Sequence, residues 1–277
     1  MMKKIYSFKM KKLFSLCLVS AGLCFSTAVL AQDISTGLIL HYDFDAISGT
    51  TVPDVSGNGK AGTIVGAPTS VDGYSGQGVN MLTKADYVTL PVDLNVGLTS
   101  FTYATWVNFS ALKNAVRFFD LGNGADATNN FLAFVPSFNG DNQTMCLRFR
   151  PATGTSYNVL FTVFFPVGSC AHVAFTFSWD DATSTAAAKI YLNGADVTNY
   201  TASPSPNSLP YNPSLSLGAS TANNYLGISR WGQDTNGFNG TIDDVRFYNR
   251  ALTATDILTL NGMAELNKQW TNLSLGD

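Results

Sequence analysis

The stretch GTIDDVRFYNRALTATDI, residues 240–257, decides the fold. Its first half alternates as a β-strand does, with successive side chains on opposite faces. Two adjacent carboxylates, Asp243 and Asp244, sit inside that strand. Strict alternation places Asp243 with Val245 and Phe247, and Asp244 with Arg246 and Tyr248. A carboxylate on an apolar face is costly unless something pairs with it, so Asp243 is expected to have a partner. The second half changes period. Thr253 is a good N-cap, Asp256 follows three residues later where negative charge favours a helix start, and DILTL continues the apolar pattern. A helix is expected from about 254 to 263.

Upstream, short strand-like runs recur between clusters of Gly, Asn, Pro and Ser. The clearest are GLILHYDF (37–44), DYVTLP (86–91), SFTYATWVNF (100–109), AVRFFDLG (115–122) and NFLAFVPS (130–137). QTMCLRFR (143–150), YNVLFTVFF (157–165), AHVAFTFSW (171–179), AAKIYLNG (187–194), PSLSLGAS (213–220) and YLGISRW (225–231) continue the series. No interval holds a crossover helix, so the strands are expected to pair antiparallel. A single sheet of this size would leave an apolar face wet, so two packed sheets are expected. The proline-rich SPSPNSLPYNP (203–213) reads as a loop.

Residues 1–31 read as a signal peptide, leaving 32–277 as one domain. Lys3, Lys4, Lys9, Lys11 and Lys12 precede an apolar run from Leu13 to about Leu30, and VLA before Gln32 offers a small-residue cleavage site. Met10 is an alternative start, because MKKLFSLCLVSAGLCF is a compact signal by itself. Removing five lysines leaves 11 basic against 19 acidic side chains, a net charge of −8. Such a chain lacks the basic stripe that nucleic acid needs. No later apolar run is long enough to span a bilayer. Export is expected, to the periplasm, the cell surface or the medium. Hydrophobic content of 45% against 13% charged, with 24 Gly and 19 Phe, suits a large core with many turns. Cys146 and Cys170 remain after cleavage. An even pair in an oxidising compartment is compatible with a disulfide, and alternation points both away from the core.

Four segments in order carry a resemblance. GLILHYDFDAISGTTVPDVSGNGKAGTIVG (37–66), SFTYATWVNF with its central Trp106, HVAFTFSWDDATSTAAAKIYLNGADV (172–197) and GTIDDVRFYNRALTATDI together span roughly 37–260. The chain resembles the laminin-G-like jelly-roll domains of the concanavalin A-like lectin/glucanase superfamily, in their bacterial exported form. The resemblance implies an all-β, two-sheet antiparallel jelly-roll sandwich with a short C-terminal helix and its terminal strands paired. It implies no single activity, because one fold hosts lectins, hydrolases and adhesion modules.

Candidate chemistry begins with the aspartates. Asp45 follows the first strand, PDVSGNGKAG supplies Asp54, Ser56 and Asn58, and pairing of first and last strands would bring Asp243 close. Oxygen ligands of this kind suit Ca²⁺, and members of the resembled superfamily often hold calcium near their termini. Asp45, Asp54, Asn58 and Asp243 are the expected set; the alternative is that Asp54 and Asn58 only shape their own turn and that Asp243 bonds backbone amides or the neighbours of Arg246.

Catalysis finds little support. The superfamily's glucanases use paired glutamates, whereas this chain has one glutamate, Glu265. Glycoside hydrolysis needs two carboxyl groups flanking the bond. The only histidines are His41 and His172, and no G-x-S-x-G elbow exists. Non-catalytic binding of a glycan or surface partner is the expected function; a hydrolase-related protein and an adhesion or structural module are the alternatives. Sugar sites combine an apolar wall with a few polar groups. NNYLGISRWGQDTNGFN (223–239) offers Tyr225, Arg230, Trp231 and Asp234; the alternative is that Tyr225 and Trp231 pack in the core or under a loop.

Overall fold

A computed structural model describes residues 33–92, 94, 97–123, 130–151, 156–200, 209, 212 and 221–262. The expected signal peptide (1–31), the strand 213–220 and most of the proline-rich loop lie outside them. The strands are β1 (Leu38–Tyr42), β2 (Thr51–Val52), β3 (Gly62–Val65), β4 (Thr69–Asp72), β5 (Gln77–Met81) and β6 (Tyr87–Leu90). They continue with β7 (Ser100–Phe109), β8 (Phe119–Gly122), β9 (Phe131–Val135), β10 (Thr144–Arg150) and β11 (Tyr157–Thr162). Last come β12 (Ala171–Asp180), β13 (Thr185–Leu192), β14 (Ala195–Asp196), β15 (Asn223–Leu226) and β16 (Gly240–Tyr248), then helix α1 over 254–262.

All strand pairs are antiparallel and form two sheets. The first runs β14-β13-β12-β7-β16-β5-β4, with β1 also paired to β16; the second runs β11-β10-β9-β8-β15-β6-β3-β2. The architecture is the jelly-roll sandwich expected. Aromatic side chains fill the space between the sheets. Tyr103 of β7 lies 5.3 Å from Phe119 of β8 and 5.0 Å from Phe247 of β16, and Phe134 of β9 lies 4.7 Å from Phe175 of β12. At these separations edge-on and offset contacts add to the burial of apolar area.

β16 organises the first sheet. One edge pairs with β7; the other pairs with β5 through Ile242 and then with β1 from Val245 onward. The change of partner falls at the two aspartates. Asp243 faces Trp106, yet Arg246 already faces Ala104, so three steps along β16 match two along β7. This is a β-bulge. Asp244 is the residue that makes it, with φ of 49°, a left-handed conformation that Asp tolerates better than most residues. Its amide donates to Asp243 Oδ1 at 2.7 Å.

The bulge corrects the face assignment made from strict alternation. Ile242, Val245 and Phe247 all belong to the inter-sheet core, so two residues separate the first two of them rather than one. Asp243 is thereby withdrawn from that core and lies on the outer face, opposite Trp106.

Helix α1 packs on the same outer face. Ile257 and Leu260 bury Ala104, Ala174, Tyr191 and Tyr248. The capping box forms as expected. Asp256 N donates to Thr253 Oγ1 at 3.1 Å, and Thr253 N donates to Asp256 Oδ2 at 3.0 Å. Arg250 Nη1 adds an ion pair to that carboxylate at 2.8 Å.

The disulfide considered for Cys146 and Cys170 is not formed. Both lie on outer faces, but Cys146 is buried on β10 of the second sheet, whereas Cys170 is exposed just before β12 of the first. Burial pushes the Cys146 thiol up to about 12, despite the opposing charges of Arg148 and Arg117. A thiol held neutral in this way is a poor nucleophile. Among the described residues, no helix is long and apolar enough to cross a membrane.

Candidate functional site

The four expected metal ligands separate into two places. Asp54 accepts amide hydrogens from His41, Ser56 and Lys60 at 2.9–3.0 Å. Burial tends to raise its pKa, but these hydrogen bonds outweigh burial and hold the carboxyl below its ordinary value. Asn58 Nδ2 donates to Leu38 O at 2.9 Å. Both residues therefore tie the 54–60 loop to β1, as turn residues do.

Asp45 and Asp243 meet at a different turn, Gly73–Gln77, which joins β4 to β5. Asp45 Oδ1 accepts from Gln77 N at 2.6 Å, and Asp243 Oδ2 from Ser75 N at 3.0 Å. Gly76 has φ of 69°, and a Cβ there would collide with the Asp45 carboxylate. Burial drives Asp243 up to about 7 against the pull of the Ser75 amide. Among the described residues no basic side chain pairs with it. Asp244 instead pairs with Arg246 Nη2 at 2.9 Å and hydrogen-bonds the His41 ring at Nε2, 2.6 Å away. Burial would raise the Asp244 pKa, but these partners overcome it and hold the carboxyl well below the usual range. The adjacent acids are thus one locked carboxylate and one buried acid. Asp243 lines a small pocket with Tyr74, Trp106 and Cys170, and Asp244 does not line it.

The expected ligand residues converge on the outer face of the second sheet. Tyr225 of β15 stands edge-on to Tyr87 of β6, with centroids 5.4 Å apart. The loop after β15 then folds over β8 and is pinned by buried charges. Arg230 Nε meets Asp120 Oδ1 at 3.0 Å, and Arg117 Nη2 meets Asp234 Oδ2 at 3.1 Å. Arg117 Nε also lies 3.7 Å from Asp120 Oδ2. Ser229 Oγ donates to Asp234 Oδ2 at 2.5 Å, and Lys84 Nζ donates to the backbone carbonyls of Trp231 and Asp234. Arg230 and Asp234 therefore serve as anchors of the loop. Trp231 is what the loop presents, with 37% of its surface exposed.

One neighbour went unread in the sequence as part of this site. Arg148 of β10 places its guanidinium carbon 5.2 Å from the Trp231 ring centroid, 5.5 Å from that of Phe131 and 6.0 Å from that of Phe138. Its position two residues from Cys146 in an alternating strand was the available signal for its outward face. Its relation to Trp231, 83 residues away in the chain, had none.

A laminin-G-type family model, described as the concanavalin A-like lectin/glucanases superfamily, matches residues 82–258. The chain belongs to this superfamily. No curated protein matches it in sequence. Among solved structures, this superfamily member is similar to domain 4 of AbnA, a GH43 extracellular arabinanase of Geobacillus stearothermophilus in complex with arabinotriose. Identity is 25% and the TM-score 0.59, over 81% of this chain and 98% of that one. The binding domain of Paraclostridial Mosquitocidal Protein 1 matches at 14% identity and TM-score 0.57, over 82% of this chain and 52% of that one. Trypanosoma rangeli sialidase matches at 17% and 0.54, over 81% of this chain but only 32% of its own. The last two likenesses show the fold alone, and this chain spans about half and about a third of those proteins.

Proposed function

We propose that the protein is an exported, non-catalytic carbohydrate-binding module. The observation that carries this reading is Trp231, exposed above the second sheet on a loop fixed by buried ion pairs. A rigid, solvent-facing aromatic flanked by polar groups suits the apolar side of a sugar ring. Superfamily membership and the likeness to an arabinanase domain in complex with arabinotriose support the same reading. The basic, apolar segment at 1–31 supports export.

Calcium belongs to the proposal as a structural ion. Asp45, after β1, and Asp243, on β16, are the pair that supports it: both carboxylates bond amides of the same glycine-bearing turn, and Asp243 is buried with no basic partner among the described residues. Asp54 and Asn58 stand apart from that pair, at the 54–60 loop that they tie to β1. A bound Ca²⁺ would supply the charge that buried Asp243 lacks and join the β4–β5 turn to the β1 end.

Glycan-array binding with and without a chelator tests the reading. The expected result is binding to a restricted set of saccharides, reduced when chelator loosens the fold. A blank array for the folded protein would defeat it. Turnover of a polysaccharide, lost when one aspartate is replaced, would favour a hydrolase instead.

A further inference from the structure

The outer face of the second sheet carries an unbalanced charge. Among the described residues, Arg117, Arg148, Arg150 and Arg230 are set against Asp120 and Asp234, four guanidinium groups to two carboxylates. The two carboxylates are engaged by Arg117 and Arg230. Arg148 makes no ion pair among the described residues, and its Nε is buried without a hydrogen-bond partner. Burial and the nearby Arg117 charge push the Arg148 pKa down, and Asp234 and Asp120 offset them only in part, the mark of a cation held where neither water nor an anion fully compensates it.

The aromatic rings around Arg148 attract it through their π faces but offer no lone pairs to its N–H groups. Arg150, two residues along the same strand and on the same face, also has a buried Nε with no partner. Trp231 rises beside Arg148 with an exposed indole. With 11 basic against 19 acidic side chains after residues 1–31, the chain disfavours anions overall, so a local surplus of guanidinium is selective where it occurs.

We propose that this face binds an acidic saccharide, with the sugar ring against Trp231 and its carboxylate on Arg148. The inference rests on the carbohydrate-binding reading and adds the ligand's charge. A guanidinium presents paired N–H donors that match the two oxygens of a carboxylate, giving short, charge-assisted bonds. Arg150 adds a second cation along the strand for an adjacent acidic unit. The network of Asp120, Arg117 and Asp234 holds the platform and does not touch the sugar.

The test is affinity electrophoresis of the purified protein in gels containing polygalacturonate, its carboxyl-reduced neutral counterpart, or dextran sulfate. The expected result is at least tenfold tighter retention by polygalacturonate than by the neutral polymer, weakening as salt rises. Arg148→Gln should abolish that difference and Arg148→Lys should retain part of it. Lys189→Gln, which removes an exposed charge from the other sheet, should leave it intact. The comparison of polymers with the unmodified protein stands even if a variant folds poorly. Equal retention by the acidic and neutral polymers would overturn the acidic preference while leaving carbohydrate binding in place. Stronger retention by dextran sulfate would overturn the carboxylate assignment. Retention by none of the three, together with a blank glycan array, would remove both readings.

Discussion

Asp120 lies between two guanidinium groups, with its side chain 1% exposed and Arg117 and Arg230 at 2% and 4%. Such a group is costly to bury and costlier to leave half-paired, because deleting one partner strands the others. Asp120→Asn keeps the shape and removes the charge. It should destabilise the protein by about 3 kcal/mol or more, lowering the melting temperature by roughly 6–12 °C for a domain of this size. A thermal scan showing no change would mean the network does not hold the loop. His172 makes a second case. It is buried against Trp106, with ring centroids 5.3 Å apart, and burial takes its pKa from 6.5 to about 4. Asp244 and Arg246 act on it in opposite directions and only modify that result. Between pH 6.5 and about 4 the unfolded chain binds a proton that the folded chain refuses, so stability falls as pH falls through that window. The full effect is on the order of 3 kcal/mol. Urea denaturation at pH 7 and pH 4.5 should show less of this slope in His172→Phe than in the unmodified protein.

At the scale of the element, β16 and α1 carry most of the lesson. The helix was legible because its cap is local: Thr253 and Asp256 are three residues apart and bond each other directly. Thr253→Ala should cost about 1 kcal/mol, measurable as a small fall in denaturation midpoint, and an unchanged midpoint would make the cap dispensable. Long strands such as β7 and β12 were legible from their apolar and aromatic runs. β4 and β5 were not, because TSVD and QGVNM are too short and polar to stand out from a turn. The bulge was invisible for a different reason. Alternation assumes a period of two, and an inserted residue keeps the pattern looking regular while moving Asp243 to the other face. Likewise, nothing local ties Asp234 to Arg117 or Trp231 to Arg148. Those contacts exist only once β8, β9, β10 and β15 lie side by side.

At the scale of the whole molecule, the sandwich uses its two outer faces differently. The first sheet is covered by α1 and by the Tyr74–Trp106 stack, whose rings are 5° from parallel. The second carries a pinned loop with one exposed indole over arginine. Calcium, if held by Asp45 and Asp243, acts on the first sheet by fastening the turn between β4 and β5. Ligand binding to the native state alone must raise its stability. The melting temperature should therefore fall on adding chelator and recover with excess Ca²⁺, and an identical melting curve in both conditions would remove calcium from the account. The proposed binding belongs to the second sheet. Its most direct test is a titration of folded protein and its Trp231→Ala variant with a saccharide retained on the array. Trp231 truncation should weaken binding at least tenfold, in line with the 1.4 kcal/mol or more expected of a central aromatic contact, with the melting temperature nearly unchanged. Equal affinity in the two proteins would contradict the claim that this face is the binding site.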